Sequence, residues 1–167
     1  MSDLARVHVD SWRTTYRGIV PDEYLAQLSY ESREGLWKRV LSRDNRAGGG
    51  FCFVAEDEEA GQVVGFASGG PEWSGSADSP YKGEIYAIYI LEQYQRQGLG
   101  RRLIAASIER LAQAGIYSLL VWVAARNRAC IFYETLGGRK VYEKQDEIDG
   151  IILDEVAYGW TDTRLLK

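Results

Sequence analysis

Glu84-Ile-Tyr-Ala-Ile-Tyr-Ile90, Leu91-Glu-Gln-Tyr-Gln-Arg-Gln-Gly-Leu-Gly100 and Arg101-Arg-Leu-Ile-Ala-Ala-Ser-Ile-Glu-Arg-Leu-Ala-Gln-Ala114 follow one another without a break and read as strand, polar loop and helix. The first segment is mostly β-branched and aromatic at strand length. In the third, Leu103, Ile104, Ile108 and Leu111 recur at helical spacing and Gly115 closes the run. Gly98 and Gly100 fall where the helix starts, so backbone N–H groups can approach a ligand at the positive end of the helix dipole. Arg96, Arg101 and Arg102 share this stretch with no acid between Gln95 and Arg102, in a chain whose net charge is −4. Glycines and arginines together predict a site for a pyrophosphate-bearing ligand.

Two common phosphate loops are excluded by residue type. A Walker loop needs Gly-Lys-Ser/Thr, and Gly100 is followed by Arg101-Arg102; a dinucleotide fingerprint needs a third small residue where Leu103 stands. What remains, Gln95-Arg96-Gln97-Gly98-Leu99-Gly100, fits a Gln/Arg-x-x-Gly-x-Gly/Ala pattern. Its glycines also suit an ordinary strand-to-helix turn.

The whole chain sets the frame. Its 167 residues suffice for one sizeable core, and no linker, repeat or low-complexity tract divides them, so a single domain over 1–167 is expected. Hydrophobic residues at 46% and charged ones at 26% describe a globular chain and exclude a disordered one. Apolar runs are no longer than a strand, and Met-Ser-Asp-Leu-Ala-Arg at the start lacks the apolar core of a leader, so a cytoplasmic protein with no membrane association is expected. The mild negative charge argues against a nucleic-acid partner and is compatible with a cationic one. Cys52 and Cys130 have neither Cys-x-x-Cys spacing nor neighbouring histidines, which predicts buried free thiols and no metal.

In chain order, a helix is expected from about Ser2 to Tyr16, carrying His8, the sole histidine, which reads as a packing residue on a helix face. A short helix should begin at Pro21 and a third near Ser29 or Ser32, ended by the turn-rich stretch Asp44 to Gly50. Trp12, Tyr16, Tyr24 and Trp37 are candidates to line an acceptor pocket, but aromatic residues at helical spacing read for the most part as core. Phe51–Glu56 and Gln62–Ser68 form a predicted hairpin, followed by a long loop from Gly69 to Gly83 whose acids and aromatics, Glu72, Trp73, Asp78 and Tyr81, make it the place to look for an acceptor. Ser118–Val123 is an apolar strand set parallel to Glu84–Ile90 by the intervening helix. A helix over Arg128–Leu136 and two strands around Asp149-Gly150 close the chain.

Asn127-Arg-Ala-Cys-Ile-Phe-Tyr133-Glu-Thr-Leu-Gly137 fits Asn-x-x-Ala-x-Phe-Tyr-x-x-x-Gly, with Cys130 at the alanine position. This motif, the Gln95–Gly100 loop and the closing hairpin stand in the order found in the GNAT superfamily of N-acetyltransferases, which the chain resembles over most of its length. The N-terminal Ser11-Trp12-Arg-x-x-Tyr16-x-Gly-Ile-Val-Pro21 is similar to a bacterial branch of the same family. The resemblance implies an α/β fold of mixed α+β type with a central mixed, mostly antiparallel sheet flanked by helices. Relative to that pattern, the strand before the first helix is missing or shortened.

The resemblance also implies acetyl-CoA as co-substrate without a metal, and an amine-bearing small molecule or peptide as acceptor, with a homodimer open. Cofactor contacts fall by resemblance on Ile88, Tyr89, Ile90, Gln95, Arg96, Gln97, Gly98, Leu99, Gly100, Arg101, Asn127 and Tyr133. Tyr133 would protonate the leaving thiolate, and Glu84 would serve as base, directly or through water. The competing readings are aromatic packing for Tyr133, a helix cap for Asn127 and a solvated edge carboxylate for Glu84. At the level of the whole protein, the alternatives to a small-amine acetyltransferase are a protein N-terminal or lysine acetyltransferase and a non-catalytic acyl-CoA sensor.

Overall fold

A computed structural model describes residues 2–47, 49–73 and 78–166. Three helices come first: α1 (Ser2–Thr15), α2 (Asp22–Gln27) and α3 (Tyr30–Ala47). The strands are β1 (Phe51–Asp57), β2 (Gln62–Pro71), β3 (Gly83–Ile90), β4 (Leu119–Ala124), β5 (Arg139–Ile148) and β6 (Ile151–Trp160). Helix α4 (Leu99–Gln113) joins β3 to β4, and α5 (Ala129–Thr135) joins β4 to β5. The six strands form one sheet in the order β1-β2-β3-β4-β6-β5, antiparallel except for the β3–β4 pair.

Two hairpins follow from local chemistry. Asp57 Oδ1 accepts the N–H groups of Glu59 and Ala60 at 3.0 Å, folding the β1–β2 turn. Asp149 and Gly150 have φ of +50° and +83°, the paired positive values that a tight turn between right-twisted strands requires. That turn also ties to the N-terminal helices, because the Tyr24 hydroxyl donates to Asp149 at 2.9 Å.

Alternation along the strands separates two cores. Ile85, Val121, Val123, Val156 and Tyr158 face α4 and α5, where Ile104, Leu111 and Tyr133 meet them. On the other face, Phe66 and Val64 pack under Leu4, Val7 and Trp37 of α1 and α3, and Trp12 and Tyr16 pack with Ala124 and Leu153. The N-terminal helices do not cover the stretch of sheet at Tyr81, Leu120, Trp122 and Ala157 in the same way; these residues form a small cluster of their own.

Several expected boundaries move. Asp44–Ala47 is helical and not turn, as α3 runs on to Ala47. Strand β2 runs through Gly69, Gly70 and Pro71, and β3 starts at Gly83, so the expected 69–83 loop contracts to 72–82, of which 74–77 lie outside the described residues. Helix α4 begins at Leu99, inside the expected loop. Pro21 caps α2 instead of opening it. The Cys52 and Cys130 thiols, expected to be buried, are only half-buried. Element type held because periodicity reports it, whereas these ends depend on tertiary pairing.

One close approach gives a stability test. The Tyr81 ring lies over Gly159 of β6, and a Cβ there would meet Tyr81 Cζ at 2.5 Å and Cε1 at 2.6 Å. Since Tyr81 is itself buried, the clash has no easy relief, and Gly159→Ala is expected to cost about 1–3 kcal/mol, measured as a lower urea midpoint.

Candidate active site

The site begins where β3 and β4 stop pairing. Their parallel register covers only Gly83–Ile85 against Leu119–Val121, although β3 runs on to Ile90 and β4 to Ala124. A bulge in β3 opposite Ser68/Gly69 bends that strand, while Trp122–Ala124 stay registered with β6. The sheet therefore parts into two halves. The backbone edge of Ile88, Tyr89 and Ile90, bonded to β2 on its other side, faces the gap without a ladder partner in β4.

The glycine loop sits at the end of that edge. Gln95 Nε2 donates to Ile90 O at 2.9 Å, and Gln97 Nε2 donates to Gln93 O at 2.9 Å, so both glutamines brace the turn after β3. Arg96 has φ +62° and Gly98, the N-cap of α4, has φ +83°; the second value is one that only glycine adopts without strain. No side chain caps α4. The first helical bond runs from Arg102 N–H to Gly98 O, so the Leu99 and Gly100 amides precede the ladder at its positive end. Gly100 has a packing reason too: a Cβ there would stand 3.2 Å from the Phe132 ring. The Arg96 and Arg101 side chains are exposed, and Leu99 is half-buried.

Across the gap stand the residues of the second motif. Asn127 is buried, its Oδ1 accepting Ala129 N–H at 2.9 Å, which is the cap reading, and its side chain lies near enough to the Tyr16 hydroxyl to oppose the rise in that phenol's pKa. Tyr133 is buried on α5, with its ring 5.8 Å from Tyr158 and 6.3 Å from Trp160. Burial, and then the nearby Tyr89 phenol and Cys130, hold the Tyr133 hydroxyl well above the ordinary phenol range, so it stays protonated. Burial raises Tyr16, Tyr89 and Tyr133 alike, Tyr89 adds to the rise at the other two and Tyr133 to that at Tyr16, so all three phenols stay protonated. Tyr16 is core, as its helical spacing predicts, and the fold also brings it near Asn127.

Glu84 belongs to the opposite face. It neighbours Ile85, which points to α4, so its side chain turns the other way, into a cleft of about 880 Å³ shared with His8, Trp37, Ser68, Tyr89, Trp122 and Lys144. Glu84 is only 8% exposed and accepts Trp73 N–H at 2.9 Å. It is therefore not a solvated edge carboxylate. Burial is the main force raising its pKa, opposed by the Trp73 bond and reinforced by Glu72. Among the described residues, three acids, Glu72, Asp78 and Glu84, line the cleft against two cations, Arg39 and Lys144. Lys144 Nζ lies 4.5 Å from the Trp122 ring centroid and 3.4 Å from Glu155.

His8 packs as expected, with Nδ1 accepting the Trp37 indole N–H at 3.1 Å and its ring stacked on Tyr89 at 4.6 Å. It also lines the cleft, which the sequence did not suggest. Among the described residues, no group of His, Cys, Asp and Glu is placed to hold a metal, and no helix is long and apolar enough to cross a membrane.

A parted sheet with a glycine loop on one side and a carboxylate cleft on the other is the architecture of an acyl-CoA-dependent transferase. The sequence profile of the Acetyltransferase (GNAT) family matches residues 9–138, and the chain belongs to that family as an acetyl-CoA-dependent N-acetyltransferase acting on an amine. It is 47% identical, over all of its length and 91% of the relative's, to "Uncharacterized N-acetyltransferase YuaI" of Bacillus subtilis (strain 168). It is 39% identical over 93 residues to the mycothiol acetyltransferase of Kocuria rhizophila, covering 29% of that longer protein. Among solved structures, a ribosomal-protein-alanine N-acetyltransferase from Brucella melitensis superposes with a TM-score of 0.68 at 26% identity, over 94% of this chain and 91% of that one. PaiA N-acetyltransferase from Thermoplasma acidophilum, in complex with coenzyme A, shares the fold at a TM-score of 0.64 and 19% identity, over 95% and 91% of the two chains.

Proposed function

We propose that this chain, acting as one domain, moves the acetyl group of acetyl-CoA directly onto the primary amine of a small molecule. The observation that carries the reading is the early end of the β3–β4 ladder: it opens the sheet just beyond Glu84 and Ile85, with Tyr133 packed on the α4/α5 face and Glu84 turned into the cleft on the other. A thioester entering from the α4/α5 face and an amine from the cleft would then meet without either crossing the sheet.

Each residue has a task that suits its surroundings. The Leu99 and Gly100 amides, with Arg96 and Arg101, hold the pyrophosphate, and the free edge of Ile88–Ile90 aligns the pantetheine arm. Asn127 keeps that arm's other side and the start of α5 in register. Glu84, a carboxylate of raised basicity, takes the proton from the attacking ammonium, directly or through water. Tyr133, held protonated, donates to the departing sulfur. A cleft of about 880 Å³ lined by Trp37, Trp73, Tyr86 and Trp122 has the volume and the aromatic walls of a small-molecule site. Its acidic balance favours a cation.

Titration calorimetry with acetyl-CoA, followed by thiol release over a panel of small amines and peptides, tests the reading. Tight binding with amine-dependent release is expected, and mass spectrometry after acetyl-CoA alone should show no acetylated protein. Binding without release on any acceptor would mean a non-catalytic acyl-CoA sensor. A preference for peptides would replace the small-molecule acceptor, and absence of binding would remove the role given to the Gln95–Arg101 loop.

A further inference from the structure

Trp73 is 67% exposed, yet it stands on the wall of the cleft that holds Glu84 and is tied to that carboxylate by its own backbone. An indole is among the largest apolar surfaces a side chain offers, and one left facing water on the wall of a cleft marks a contact surface.

The turn that presents it follows from the sheet. Gly70 pairs with Glu84 and Pro71 with Gly83, and the Glu72 N–H donates to Lys82 O at 2.9 Å, which carries the pairing one step past the strands. Trp73 comes next, in a turn, and its N–H donates to Glu84 Oε2 at 2.9 Å. Tyr86 braces the same segment. Its hydroxyl donates to Pro71 O, and the Trp73 indole meets its ring edge-on, with centroids 5.6 Å apart and planes at 81°. Gly70 leaves room for this arrangement, since a Cβ there would stand 2.8 Å from the Tyr86 hydroxyl oxygen. Trp73 is therefore held at its amide by Glu84 and at its ring by Tyr86, and such preorganisation lowers the cost of binding against it.

An N–H on one carboxylate oxygen does two things to a base. It fixes which way the carboxyl plane turns, and it favours the charged form, opposing the rise that burial causes. A carboxylate has about four lone-pair sites, so one such bond leaves others to take a proton. The indole acts on another part of the acceptor. Its exposed surface suits a flat apolar group attached to the amine, and Glu72 and Asp78 on the same wall suit the ammonium that comes with it.

We propose that Trp73 is the positioning residue of the acceptor site: its backbone N–H aims Glu84 at the amine, and its indole packs against a flat apolar group of the acceptor. The site thereby takes amines that carry such a group in preference to short hydrophilic ones. The proposal rests on the transferase reading above and adds the acceptor's second feature.

Two variants separate the two roles in the thiol-release assay with the full chain. Trp73→Ala keeps the N–H and removes the indole: KM for 2-phenylethylamine should rise about tenfold, with a much smaller change for ethylamine and little movement of the fall in kcat/KM at low pH. Trp73→Pro removes the N–H, so that fall should move up by about one pH unit on both amines. The charges bearing on Glu84 from Glu72, Lys144 and Glu155 stay in place in both variants, and His8 on the same wall is neutral, its pKa pulled down to about 3 by burial and the Arg33 charge. In the parent, the Trp73 amide proton shift, followed by NMR, should titrate at the pH of the same fall, and this titration should vanish in Glu84→Gln. That readout needs no turnover and decides the aiming role if the proline variant fails to fold. An amide signal indifferent to pH, or a low-pH fall that proline leaves unmoved, would overturn the aiming role. Equal losses on both amines in Trp73→Ala, or none, would overturn the indole contact. Bound acetyl-CoA with no release to any amine would overturn the transferase reading and, with it, the acceptor role given to Trp73, whereas a flat amide signal beside normal turnover would overturn this proposal alone.

Discussion

Glu84→Gln is expected to lower kcat/KM for the amine by roughly 10²–10⁴-fold while leaving acetyl-CoA binding in place. The substitution keeps the shape of the side chain and an oxygen to accept the Trp73 N–H, and removes only the ability to take a proton. The pH profile gives the sharper readout. Because burial raises this carboxyl above the usual glutamate range, the parent's kcat/KM should fall as pH drops through that raised value, and this acid limb should vanish in the variant. Stability should move the other way. A carboxyl whose pKa is raised by folding adds most to stability below its unfolded value and loses that contribution as pH rises through the folded one. The glutamine variant has no such loss, so at pH 8 its urea midpoint should match or exceed the parent's. Unchanged turnover would transfer the base role to a chain of waters with no protein carboxylate.

Tyr133→Phe should lower kcat on the order of 10²-fold with little change in acetyl-CoA affinity. The ring would keep its packing against Phe132, Tyr158 and Trp160, so the urea midpoint should stay near the parent's. What disappears is a single O–H. Its pKa, held above the ordinary phenol value of about 10, exceeds that of a typical thiol near 8.5, so full proton transfer to sulfur is uphill. A hydrogen bond to the charge developing on sulfur is the larger part of the effect, and water completes the transfer later. The loss in the phenylalanine variant should therefore grow with a poorer leaving group and shrink with a better one. A uniform loss across leaving groups, or none, would make Tyr133 a packing residue under the sheet.

Much of this was legible before any coordinates. The period of Leu103, Ile104, Ile108 and Leu111 marks α4, and Asp149-Gly150 marks the last hairpin, because both signals act within a few residues. Gly98 was legible for the same reason: its positive φ is a local demand. His8 reads as packing, and it does pack; that its ring also borders the cleft depends on Trp37 from α3 and on the neighbouring sheet. Ser68 carries no signal of its place on the cleft wall, since a serine in an apolar strand is ordinary.

Sequence by itself determined the kinds of element, the glycine turn before α4, and the Asn127 to Gly137 motif. Each of these rests on propensities and contacts within one or two turns of chain. Tertiary structure alone decided that β3 and β4 part after Ile85 and Val121, that Tyr133 packs on the α4/α5 face of the sheet while Glu84 turns to the other, and that Trp122 and Lys144 join His8 and Ser68 around one cleft. Those facts depend on strand order, on one bulge and on which face each residue turns to. Such long-range pairings are set by the packing of the whole sheet, and no short window of sequence encodes them.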